Sequence, residues 1–403
     1  MPNKSFEVPV EPAVMKWARE SAGRTIEDTA KRLGADKELI NGWELGKKNP
    51  TIAQLRTLTK YYQRPLDVFL LSEPPTEPLL PCDFRNLPTG AHFPFHAETR
   101  FALRKARRLQ SVSAELKGKF QGEIFSKLGN VAVSDDPELF ADKVRHALGA
   151  DIEEPRKCKD EGDALKQWIK IIEGMDIIVT QMPMPIEDAR AFSLAGDARP
   201  IIVLNVSDYK NARIFSLFHE LGHILIKEEG ICDPWSYPEI RSAKKSVEAF
   251  CNRFAGAFLV PKECLIKHPQ VISKENKNVW SEKSLQSLSK SFKVSKEVIL
   301  RRLLIFGYTT NEFYNEKRRD WAALEEKKQK EKEEQNQEED QDNQKTRGGG
   351  RNVARECIQQ NGAPIVSLIL ESYYDNRLNK CDVADYLEVS LKHLPKIEKA
   401  LWS

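Results

Sequence analysis

No apolar run in the 403 residues approaches the ~18–20 needed to cross a bilayer. The opening residues, Met1 to Glu7, lack the apolar core of a signal peptide. The expectation is a cytoplasmic protein with no membrane partner. The seven cysteines stand singly, at 82, 158, 232, 251, 264, 357 and 381, and no two form a CxxC pair. An odd count, wide spacing and no export signal argue for reduced thiols and against a disulfide framework. Charge of one sign is also scarce. The 63 Lys and Arg residues face 60 Asp and Glu, a net +3 that is too even to predict a nucleic-acid partner alone. What is present is 40% hydrophobic and 31% charged residues. That composition fits a soluble, globular chain of several units.

Residues 8–72 read as a compact bundle of short helices. Val14, Trp17 and Ala18 form one apolar stripe. Thr25 can cap a helix that runs to Leu33, and Gly34 makes the turn. A short helix from about Asp36 to Glu44 buries Leu39, Ile40 and Trp43. After Asn49-Pro50, Thr51 caps a helix carrying Ile52, Leu55, Leu58 and Tyr62. Residues 73–96 are proline-rich and read as a linker. Residues 97–160 form a helical connector whose basic run, Arg100 to Arg108, reads as a solvated helix face.

Residues 161–310 mix helix and strand. Ala164 to Glu173 is helical; Asp176 to Gln181, Ala189 to Ala195 and Pro200 to Asn205 are β-prone, with a hairpin turn expected at Gly196-Asp197. Helices follow at about 209–227 and 243–258, then a helical pair over 281–306. Residues 311–350 end in Lys, Glu and Gln runs that cannot bury a core, and read as a charged tether. Residues 351–403 regain apolar spacing and read as a small helical domain, assigned to substrate docking or regulation.

The chemistry concentrates in Arg213-Ile-Phe-Ser-Leu-Phe-His-Glu-Leu-Gly-His223. Ile214, Leu217, Phe218, Leu221 and Leu225 make one buried stripe. His219 and His223 lie four apart, so both imidazoles project from one helix face and can reach one zinc ion at ~2.0–2.1 Å. Glu220 is rotated by about 100° from His219, beside the metal, where it can serve as a general base. A catalytic zinc needs a third protein ligand and an open position. Glu248, on the next long helix, can supply it; Ala255 and Gly256 there are small enough for close helix packing. Cys251 reads as a core residue. Tyr209, Tyr237 and Arg241 stand as alternative oxyanion donors. Another divalent metal, such as Mn2+, could replace Zn2+.

These residues resemble the ImmA/IrrE family of bacterial metallopeptidases. The resemblance runs through Pro200 to Asn205, Arg213 to His223, and Glu248-Ala-Phe-Cys-Asn-Arg-Phe-Ala255, with Cys251 where the family has alanine. It implies a gluzincin-like site in which His219, His223 and Glu248 bind zinc and Glu220 is the base. It also implies a protein substrate, an Xre-type helix-turn-helix repressor or antitoxin-like protein, cut to control transcription in stress or mobile-element responses. The expected fold is mainly α and multidomain, with a small α/β zincin-like catalytic core. The first unit resembles an Xre-type helix-turn-helix domain through Trp43 to Thr51. On that resemblance residues 36–44 are the recognition helix, Asn41 can read adenine, and Lys47, Lys48 and Arg56 can touch phosphates. Asp36 and Glu38 oppose phosphates, so protein recognition competes with DNA binding as the unit's role. The alternative for the whole chain is a DNA-binding regulator that keeps the zinc fold as a sensor or scaffold, without proteolysis.

Overall fold

The structure is a computed structural model that describes residues 6–76, 95–118, 131–150, 157–195, 198–226, 238–273, 278–324 and 352–402, with isolated positions between 120 and 129. Of residues 238–245 it describes the backbone. The first unit holds α1 (Pro12–Ser21), α2 (Ile26–Leu33), α3 (Lys37–Glu44) and α4 (Ile52–Tyr62), closed by a 3-10 turn at Leu66–Leu70. Thr25 and Thr51 each build a capping box: the hydroxyl accepts the N–H three residues on, and Asp28 or Gln54 answers at the cap's own N–H. These caps start α2 and α4 where the sequence places them. Gly34 ends α2 at φ +62°, a left-handed conformation that a Cβ disfavours. Ile40, Trp43, Leu55, Leu58 and Phe69 fill the unit's core. Arg19 grips Glu44 through Nε–Oε1 at 2.6 Å and Nη2–Oε2 at 2.9 Å, tying α1 to the end of α3.

The larger body is built on a three-stranded sheet. Around it run α5 (Ala97–Lys117), α6 (Pro137–Leu148), α7 (Glu161–Glu173), α8 (Lys210–Ile226), α9 (Pro238–Leu259), α10 (Glu282–Phe292) and α11 (Lys296–Ile305). Strand β3 (Ile201–Asn205) lies centrally, parallel to β1 (Ile178–Met182) and antiparallel to β2 (Ala191–Leu194). The antiparallel pair fits the expected hairpin, whose turn residues Gly196 and Asp197 lie outside the described residues. Strand alternation sorts the side chains. Val179, Ile202 and Leu204 face the core of α6 to α11, with Trp168, Phe218, Phe254 and Phe258. Ile178, Met182, Phe192, Leu194, Ile201 and Val203 face a second core.

That second core corrects the expected layout. It is filled by α5 and by α12 (Val353–Asn361), α13 (Ala363–Tyr374), α14 (Lys380–Leu387) and α15 (Leu394–Trp402). The C-terminal helices are thus a layer of the main body. The reason lies in the strands: β3 is buried at all five positions, so both faces of the sheet must be covered. At Gly362 (φ +81°) an added Cβ would stand 2.9 Å from the Val179 carbonyl oxygen, so the main chain there lies directly on β1. The expected tether, residues 311–350, is corrected at its start: 311–324 is helical and puts Phe313 and Tyr314 into the core of α6 to α11, whereas residues 325–351 lie outside the described residues.

The basic run of α5 is not a solvated face either. Arg100 Nη1 and Arg104 Nη2 donate to the carbonyls of Glu20 and Tyr62, at the C-terminal ends of α1 and α4, where cations are favoured. Lys105 and Arg108 pair with Glu388, just after α14. Gln110 Nε2 donates to the carbonyls of Leu194 (3.4 Å) and Arg199 (2.9 Å), where β2 passes to β3. Asp188, between β1 and β2, accepts from His96 N (3.0 Å) and Thr99 Oγ1 (2.6 Å) at the start of α5. One helix therefore touches the first unit, the sheet and the C-terminal layer. Among the described residues no helix is long and apolar enough to cross a membrane.

Candidate metal centre

The turn from β3 into α8 is fixed by Asn205, which is fully buried. Its Oδ1 accepts from Met184 N and Ser207 N, and its Nδ2 donates to the carbonyls of Met184 and Ala189. Helix α8 then buries Ile214, Leu217, Phe218 and Leu221 completely. Phe218 stacks on Phe258 of α9 at 4.2 Å between ring centroids. This stripe turns the 219/223 face toward the N-terminal half of α9. The two helices come close at Gly222: an added Cβ would lie 3.1 Å from Cys251 Sγ and 3.3 Å from Cys251 Cβ. Of the two small residues expected to allow the close approach, Ala255 is fully buried one turn beyond Cys251. Gly256 instead makes room for the buried Arg302, whose Cδ lies 3.3 Å from that position's Cβ site.

The approach at Gly222 brings Glu248, three residues before Cys251, to the histidine pair. His219 Nε2 and His223 Nε2 are 3.1 Å apart. Glu248 Oε2 lies 3.4 Å from His219 Nε2, and Oε1 lies 3.4 Å from His223 Nε2. These donor atoms form a group able to hold a metal ion. Donors of a tetrahedral zinc, each at ~2.0–2.1 Å, stand about 3.3 Å from one another. The observed spacings match that, and two nitrogens plus a carboxylate suit the ion's preferences, so the residues fit the metal. Electrostatics agree. Burial opposes ionisation of Glu248, but hydrogen bonds and charge from His219 and His223 outweigh it and hold the carboxylate well below its ordinary range. Burial likewise opposes protonation of His223, yet Cys251 and Glu248 raise its pKa strongly. The pocket thus favours positive charge between the imidazoles and the carboxylate, which a divalent cation supplies.

Glu220 stands outside this triangle. It is 8% exposed, and its Oε2 accepts a 2.7 Å hydrogen bond from Ser193 Oγ of β2. Nothing in the local sequence around Ser193 marks it as a site residue. Strand alternation carried a signal: Phe192 and Leu194 belong to the second core, which turns Ala191 and Ser193 toward α8. Cys251 is fully buried against Gly222, in keeping with a packing role. Tyr209 precedes His219 by ten residues, about 15 Å along a helix axis, too far for an oxyanion donor. Tyr237 and the side chain of Arg241 lie outside the described residues. On the first unit, Asn41, Lys47, Lys48 and Arg56 are all exposed.

Residues 172–304 match the IrrE N-terminal-like domain of the M78 peptidases, and residues 15–69 match a helix-turn-helix family. The chain joins an M78 peptidase domain to an Xre-type helix-turn-helix domain. It is a metallopeptidase-like protein with a DNA-binding domain. No curated protein matches the sequence. The M78 match begins in α7, runs through the sheet, α8 and α9, and ends in α11. Helix α5 and the C-terminal layer fall outside it, so the second face of the M78 sheet is covered by segments from either side of the matched region.

Proposed function

We propose that this chain is a zinc-dependent endopeptidase that cleaves a helix-turn-helix repressor or antitoxin-like protein and so controls transcription. The observation that carries the reading is the convergence of His219, His223 and Glu248 beside a buried glutamate that takes no part in the triangle. A metal scaffold alone has no need of Glu220. His219, His223 and Glu248 would hold the zinc. When bound, zinc supplies a Lewis acid that lowers the pKa of water toward ~7 and polarises a scissile carbonyl. Glu220 takes the proton from the attacking water as its oxygen adds to the carbonyl carbon. The same carboxyl group then delivers that proton to the leaving nitrogen as the C–N bond breaks. Strand β2 has β3 on one side and no second strand partner among the described residues, so an extended substrate can pair with its outer edge beside Glu220.

A second reading has its own support: the exposed Asn41, Lys47, Lys48 and Arg56 leave the recognition face of the first unit free for DNA. In that reading the protein regulates by operator binding and the metal site serves as a sensor. Incubation of the metal-loaded chain with helix-turn-helix repressors encoded near it separates the two. Cleavage that stops on chelation, and that Glu220→Gln lowers by about 10²–10⁴ while retaining zinc, supports the peptidase. Chelator-insensitive operator binding without cleavage refutes it.

A further inference from the structure

Glu220 can act as a base only if one carboxylate oxygen is aimed at the attacking water. The terminal torsion of a glutamate is broad and roughly two-fold, so helix geometry alone does not set the plane of the carboxylate. The Ser193 hydroxyl donates to Oε2 at 2.7 Å, within the range of charge-assisted O–H···O bonds, and Oε1 is left without a partner among the described residues. Ser193 is held in turn by the sheet: it pairs with Ile202 in the antiparallel register, between Phe192 and Leu194, which are anchored in the second core.

The geometry points to Ser193 as the positioning residue of the base: it pins Oε2 so that Oε1 faces the metal side. The inference rests on the peptidase reading above. It also gives β2 two tasks. A peptide paired along the strand's open edge would bear on the main chain of the residue that aims the base, linking substrate docking to readiness for proton transfer.

The test uses the zinc-loaded full chain and acetohydroxamic acid, a metal-binding probe whose acidic proton is taken by a neighbouring base. Binding is measured by titration calorimetry for wild type, Glu220→Gln, Ser193→Ala and Ser193→Thr, alongside zinc affinity and the melting temperature. Glu220→Gln should weaken the probe by about 10–100-fold, and Ser193→Ala by about 10-fold. Ser193→Thr, which keeps the hydroxyl, should restore most of the affinity. Zinc affinity and melting temperature should stay at wild-type values in the Ser193 variants. Wild-type probe affinity in Ser193→Ala, with Glu220→Gln still weakened, overturns the inference and leaves the peptidase reading intact. Loss of zinc affinity in Ser193→Ala also overturns it, because the role would then be structural. A chain that takes up no zinc, or a Glu220→Gln variant that binds the probe like wild type, refutes the peptidase reading and this inference with it.

Discussion

Gly222 sits where α8 and α9 come close, one residue before His223, which makes Gly222→Ala an incisive perturbation. The new methyl would lie 3.1 Å from Cys251 Sγ and 3.3 Å from both Cys251 Cβ and Phe254 Cδ1. Ordinary carbon contacts are ~3.5–4.0 Å, so the helices must part by about 0.5 Å. Two stability effects then oppose each other. Alanine gains about 1 kcal/mol of helix propensity over glycine, and overpacking costs about 1–3 kcal/mol. The melting temperature should therefore change little, or fall by a few degrees. Metal binding has no such offset. Glu248 lies one turn from Cys251 on the displaced helix, and ligand distances tolerate only about 0.2 Å. We expect zinc affinity to fall at least ~10-fold, or about 1.4 kcal/mol. Competition against a chromophoric chelator measures this directly. Cys251→Ala in the Gly222→Ala background should recover part of the loss, with the Cys251→Ala single variant completing the cycle. Wild-type zinc affinity in Gly222→Ala would refute the claim that this contact sets the reach of Glu248.

Other consequences concern charge. Burial pushes the Glu173 carboxyl up to about 8 from its ordinary 4.5, against the opposing hydrogen bond from the Ala363 N–H at the start of α13. An acid with a raised folded-state pKa contributes its stability fully below pH 4.5 and loses it as pH rises through about 8. Glu173→Gln should therefore melt increasingly above wild type between those limits; melting curves that stay parallel across the window would contradict this. On the first unit, Lys47→Ala with Lys48→Ala should weaken DNA binding and lower the slope of its salt dependence by about one unit for each phosphate left unneutralised. An unchanged salt slope, measured by fluorescence anisotropy, would remove both lysines from the interface.

The elements that local chemistry specifies were legible. Thr25, Thr51 and Gly34 mark helix ends through hydrogen bonds and φ preferences within a few residues, and they lie where expected. The histidine pair was equally readable, since a four-residue spacing on one helix needs no tertiary information. The strands were located within one or two residues. Three features were not legible. Ser193 meets Glu220 only through the register of β2 against β3 and the packing of α8. The cations of α5 looked solvated because their partners lie far along the chain; Lys105 reaches Glu388. The apolar stripes of α12 to α15 show that those helices bury a face, but periodicity does not say against what. The tether suggested independence, and the unfilled second face of the sheet argued otherwise once the strands were assembled.

The two-sided cover of the sheet also sets an order of events during synthesis. The helix-turn-helix unit draws on residues 8–69 and its core can close early. The sheet waits: the face that carries Ile178, Ile201 and Val203 is covered by α5 alone until residues 353–402 leave the ribosome. A nascent chain can thus hold a finished helix-turn-helix head well before its sheet is fully backed. For the same reason, a nick between 325 and 351 need not separate the halves, because the apolar interface and the Glu388 ion pairs bind them without a peptide link.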